Sequence, residues 1–222
     1  MRRDSFAVVV IVAWAISMSP PVHSQAARLQ ISSPRDGTIV QPGSTVAITV
    51  TSPAGTLVSS VVVVGQTPLN LFQGSATLPF TTSAMVPVDA PLRRIRLSAM
   101  ARTPAGREID VEAAPIFIDV ERNDMPTRLS LLNMGEKDPA LYFEGPGGDL
   151  PLIVLAHFAD GQILDATEST RVRYSVAAPG IASVRAGGVV TARRAGQTTA
   201  TIVYSLGTQT LQARVAVNIR SR

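Results

Sequence analysis

Three groups of residues have types and spacings that could do chemistry. The first is an arginine row, Arg94, Arg96 and Arg102, whose even spacing puts all three guanidinium groups on one side of an extended strand. Guanidinium forks suit carboxylate, sulfate or phosphate partners, so the row is a candidate ligand-binding surface. It also has a plainer reading. Glu108, Asp110 and Glu112 alternate in the same way a few positions later, and cross-strand ion pairs of roughly 0.2–1 kcal/mol each would neutralise the row.

The second group is Asp160, Asp165 and Glu168, acids that successive turns could gather around a calcium ion. No Asp-x-Asp-x-Asp run accompanies them. The same residues also serve turn chemistry, with Asp160-Gly161 closing a hairpin and Asp165 capping a loop through its own backbone. The third is His157, the one histidine beyond the N-terminal leader. Val154, Ala156 and Phe158 around it describe an ordinary strand near a sheet edge, and no Gly-x-Ser-x-Gly phrase seats a nucleophilic serine. Gly145-Pro146-Gly147-Gly148-Asp149 lacks the Lys-Ser/Thr and the helix of a phosphate cradle, so it reads as a turn. The acids are too scattered for a glycosidase pair. The inventory describes a non-catalytic protein and implies no cofactor.

The elements that position these residues begin after an export leader. Arg2-Arg3, an apolar run from Phe6 to Met18 and the small-residue end Val22-His23-Ser24 have the three parts of a secretory signal, with cleavage expected after Ser24. The run is short for a bilayer span, which takes about 20 residues; an uncleaved signal anchor is the alternative. Phe6 falls one position late for a twin-arginine signal, which favours the general secretory route. The mature chain is expected in the periplasm or outside the cell, without a transmembrane segment.

Of 20 basic and 16 acidic residues, Arg2, Arg3 and Asp4 leave with the leader, so the mature chain carries 18 against 15. That excess is small, and no aromatic-basic surface for stacking single strands is present, so nucleic acid is not an expected partner. Cysteine is absent, which excludes disulfides, thiol catalysis, cysteine metal sites and a lipidated N-terminal cysteine. Trp14 is the single tryptophan and lies in the leader, which weakens recognition of sugars by stacking. Envelope or surface proteins are the expected partners, with glycans second.

The composition is that of an all-β protein, and the mature length suits two tandem sandwiches. The first is expected over 28–122. It has strands at Leu29 to Ser32, Thr45 to Thr51 and Val58 to Val64, the last continuously apolar as if covered on both faces. Its best hairpin joins Leu92 to Arg102 with Glu108 to Ala113, and Pro115 breaks the phase or marks an edge. A linker follows at 123–126, within the charged stretch Glu121 to Pro126. The second sandwich is expected over 127–222. Its strands are Arg128 to Leu132, Ala140 to Phe143, Leu152 to Phe158, Val172 to Val176, Ile181 to Val184, Val189 to Ala192 and a long C-terminal hairpin turning at Leu206 to Gln209.

In that second half, Phe158-Ala159-Asp160-Gly161-Gln162, Asp165-Ala166-Thr167, Tyr174-Ser175, Ile181-Ala182-Ser183-Val184, Gly188-Val189-Val190-Thr191-Ala192, Gly196 and Ala200-Thr201-Ile202 occur in an order that resembles the bacterial immunoglobulin-like domain, group 2. Tyr174 stands where the family usually has a bulkier aromatic, and Ala177-Ala178-Pro179-Gly180 replaces its Ser-x-Asn-Pro turn. The first half is similar to other bacterial immunoglobulin-like repeats through its Ser33 to Gly37 phrase. The resemblance implies modular, non-enzymatic domains and transfers no catalytic residues. It implies a spacer or protein-binding module, or alternatively an adhesin or polysaccharide-binding protein using its loops or the arginine face.

Overall fold

The computed structural model describes residues 29–52, 57–104, 111–137 and 140–221. The leader, the turn at Pro53-Ala54-Gly55 and the hairpin residues Gly106, Glu108 and Asp110 lie outside them. The protein is all-β, with no helix among the described residues.

Up to Val120 the strands are β1 (Gln30–Ser33), β2 (Thr38–Val40), β3 (Thr45–Thr51), β4 (Ser60–Gly65), β5 (Leu71–Ser75), β6 (Phe80–Met85), β7 (Arg93–Arg102), β8 (Val111–Glu112) and β9 (Ile116–Val120). They form a three-stranded sheet in the order β1-β3-β6 and a six-stranded sheet in the order β2-β9-β7-β4-β5, with β8 also on β7. Strand β3 forms where period-2 alternation requires it, with Val46, Ile48 and Val50 buried. Together with Val61, Val63, Ile95, Leu97 and Ile118 they belong to one hydrophobic cluster.

Two details differ from the sequence reading, and both shape the outer face of the larger sheet. Strand β4 is not covered on both faces: Val61 and Val63 are buried, while Val62 and Val64 on the other side are only half-buried. Strand β9 lies against Arg94 and Arg96, while Glu108 and Asp110, which the sequence sets against the row, lie outside the described residues. Among the described residues β8 pairs with the end of β7, Met100 opposite Glu112 and Ala101 opposite Val111. After Pro115, which has no N–H to donate, the chain re-pairs one residue out of register and sets Asp119 opposite Arg94 and Phe117 opposite Arg96.

Beyond Arg122 lie β10 (Arg128–Asn133), β11 (Glu136–Lys137), β12 (Leu141–Phe143), β13 (Asp149–Pro151), β14 (Ile153–His157), β15 (Ile163–Asp165), β16 (Val172–Val176), β17 (Ala182–Val184), β18 (Val189–Ala192), β19 (Gly196–Leu206) and β20 (Gln209–Ile219). They make sheets β11-β10-β14-β15, β12-β20-β19-β16 and β13-β18-β17. A second cluster fills the space between them, built on Leu131, Leu141, Leu152, Val154, Ile202, Tyr204 and Val217. Gly188 shows why this core needs a glycine. Its φ is +74°, and a Cβ there would lie 2.1 Å from the Leu152 carbonyl oxygen, while its own carbonyl accepts the Leu152 N–H at 2.9 Å.

Leu92 crosses between the two halves. It precedes β7 in the first half, yet it is fully buried in the second cluster, and its N–H donates to the Asp165 carbonyl at 2.7 Å. No helix among the described residues is long and apolar enough to cross a membrane.

Candidate functional site: an outer sheet face and a polar junction

The outer face of the six-stranded sheet carries the arginine row, and its three members fare differently. Arg94 is clamped by Asp119, with Nε to Oδ1 at 2.8 Å and Nη2 to Oδ2 at 3.1 Å, and its guanidinium carbon sits 5.8 Å from the centre of the Phe117 ring. The hydrogen bond and charge of Asp119 raise the Arg94 pKa further. Asp119 is 7% exposed and sits in an otherwise apolar strand. Sequence reasoning misses it as a partner because three alternating acids lie nearer along the chain.

Arg96 and Arg102 are exposed, and no ion pair holds either one among the described residues. Glu112 shares their face at the Met100 position, and it too makes no ion pair among the described residues. Between the two arginines this face carries Ser98 and Met100, with valines beside them on β4. Met100 lies opposite Val62 and Ser98 opposite Val64, and on the edge strand β5 Phe72 lies opposite Val64 and is 75% exposed. A shallow cavity of about 230 Å3 opens here, lined by Ser60, Val62, Phe72, Met100, Ala101 and Arg102.

The acids Asp160, Asp165 and Glu168 do not converge on one point. Among the described residues no group of three or more His, Asp or Glu side chains is placed to hold a metal ion. Each is engaged where the two halves of the chain meet. Asp160 takes Arg122 Nη1 at 2.7 Å and the Gln162 N–H at 3.0 Å, and both lower its pKa, the Gln162 bond more. Asp165 accepts the Thr167 N–H at 2.8 Å and the Thr167 hydroxyl at 2.5 Å. Glu168 pairs with Arg93 at 2.6 Å.

At the centre of this junction is Glu121. It opens the charged stretch that runs to Pro126, and it is fully buried. Its carboxylate accepts the Ser169 hydroxyl at 2.8 and 2.9 Å, the Thr170 N–H at 2.9 Å and the Thr170 hydroxyl at 3.1 Å, with Arg171 Nε 3.9 Å away. Burial nonetheless pushes its pKa up, against these donors. Next to it, Arg122 is shared by Asp124, Asp160 and Gln162, stacks 4.4 Å from the Phe158 ring centre, and offers its carbonyl to Arg171 Nη1. Tyr204 is fully buried behind this cluster, and burial raises its pKa.

His157 is half-buried and lies on β14, between β10 and β15, so its strand is interior to its sheet and not an edge. The difference comes from β15, which is only three residues long and carries too little alternation to read as a strand. Nε2 of His157 lies 2.7 Å from the Ser130 hydroxyl, and the Arg128 guanidinium lies beyond. Tyr174 donates its hydroxyl to the Thr167 carbonyl at 2.7 Å, and burial, with the charges of Asp165 and Glu168, raises its pKa.

No family model matches the chain, and no curated protein matches it. Among solved structures it is similar to the fibronectin(III)-like modules of Clostridium thermocellum CbhA, at 25% identity, over 41% of this chain and 93% of that one, with a TM-score of 0.34.

Proposed function

We propose that this chain is an exported, non-catalytic structural and interaction protein: two tandem immunoglobulin-like sandwiches, the second of group 2, serving as a spacer or protein-binding module in the cell envelope or outside it. The observation that carries the reading is the junction. A spacer transmits position only if its joint resists bending, and here Leu92 is inserted into the opposite core while Glu121 is held by Ser169 and Thr170. Interfaces between domains are otherwise expected to be loose and polar.

The test is affinity capture of the mature chain, Gln25 to Arg222, from envelope fractions of its source, with the eluate analysed for both proteins and glycans. One stoichiometric protein partner is expected. Retention of glycans alone would overturn the reading in favour of a polysaccharide-binding protein.

A further inference from the structure

We infer that the outer face of the six-stranded sheet is a docking surface for an acidic segment of a partner protein, with one apolar side chain seated in the cavity beside Phe72 and carboxylates on Arg102 and Arg96. The inference rests on the reading of the chain as an interaction module, and names the surface and the chemistry of the partner.

Charge selects the occupant. Arg94 shows what this face does with an arginine that the fold itself uses, because it is clamped on a buried acid. Arg96 and Arg102 point from the same side of the same strand and have no such acid among the described residues. Fixed on a strand on either side of Met100, they present two cationic forks that no acid among the described residues complements.

The apolar floor decides between a peptide and an anionic sugar. Val62, Phe72 and Met100 give the cavity an apolar floor, with Ser60 and Arg102 at its polar margin. A sugar carries hydroxyls all round its ring, and only Ser60 and Arg102 could partner them here, whereas an aliphatic or aromatic side chain would gain by burial on Val62, Phe72 and Met100. A volume of about 230 Å3 suits one such side chain. Six residues of β7 separate the arginines, roughly 20 Å at the rise of a strand, so an extended segment would carry its two acids about six residues apart.

A random library of peptides about 12 residues long, long enough to span that distance, is selected against the mature chain and counter-selected against the variant Phe72→Asp/Arg96→Glu/Arg102→Glu. Enriched peptides are expected to carry two acids at about that spacing, with an apolar residue next to one of them. Their affinity is expected to fall about tenfold or more in the double variant Arg96→Glu/Arg102→Glu and in Phe72→Asp separately. All three positions are exposed, and circular dichroism of each variant confirms that it folds. Peptides enriched without acids, peptides indifferent to the variants, or no enrichment would overturn the proposal. So would retention of polygalacturonate or dextran sulfate that depends on Arg96 and Arg102, which would make the face a polysaccharide site. If envelope capture returns no protein while the library behaves as expected, the module reading fails and the surface stands.

Discussion

At the junction Arg93, Arg122 and Arg171 each meet an acid supplied from elsewhere in the chain, whereas on the outer sheet face Arg94 does so and Arg96 and Arg102 meet none among the described residues. Both regions are rich in arginine, and both border apolar groups. The difference lies in desolvation. A charge withdrawn from water must be met by hydrogen bonds, so Glu121 collects donors from Ser169 and Thr170 and Arg122 collects three acceptors. A charge left in water needs none. An arginine paired with a buried acid therefore marks a place the fold has to hold, unlike the exposed pairs of Arg185 with Asp149 and of Arg220 with Glu144.

The strongest way to break this comparison is Glu121→Ala. It strands the Ser169 hydroxyl, the Thr170 N–H and Arg171 in a buried site, and is expected to destabilise the protein by about 3–5 kcal/mol, as measured by urea unfolding. A loss within about 0.5 kcal/mol, the usual size for a surface change, would show that the junction is ornamental and that the two halves fold without it.

A smaller effect separates the charge of Glu121 from its shape. Burial raises its pKa in the folded protein, so the native state binds a proton more tightly than the unfolded chain does. This contribution is full below the unfolded value of about 4.5 and is lost as pH rises through the higher folded value, with a slope of at most about 1.4 kcal/mol per pH unit. Glu121→Gln cannot titrate. The difference in stability between native protein and variant, measured by thermal unfolding across that window, should therefore shift towards the variant as pH rises. A difference independent of pH would mean that the Ser169 and Thr170 bonds cancel the effect of burial.

The contrast between the regions is only partly legible in the sequence, because its two halves depend on different ranges of information. Alternation locates β3, β16 and β18 to the residue, since burial of every second side chain is written locally. It misses β5 and β9. In β5 only Leu71 is buried, and in β9 Asp119 interrupts an apolar run that starts directly after a proline. Losing β9 hides Asp119, the acid that clamps Arg94. At the junction, the bonds of Asp160 to Gln162 and of Asp165 to Thr167 span two residues and follow from turn chemistry. Those of Asp160 to Arg122 and of Glu168 to Arg93 close loops of tens of residues, and no local pattern encodes them. Glu121 misleads for the same reason: a charged residue before a proline reads as linker until its distant donors are known.

The smallest expected effects fall on the outer face and sharpen the comparison within a single strand. Arg96→Ala and Arg102→Ala remove exposed side chains with no ion-pair partner among the described residues, and each should leave the urea midpoint within about 0.5 kcal/mol of the native value. Arg94→Ala, at the same face and only two residues from Arg96, leaves the carboxylate of Asp119 buried without its bidentate partner and should cost about 1–3 kcal/mol. Equal costs at all three positions would mean that the row acts as one structural unit. A cost at Arg94 alone means that the fold uses one arginine of the row and leaves the other two free to bind.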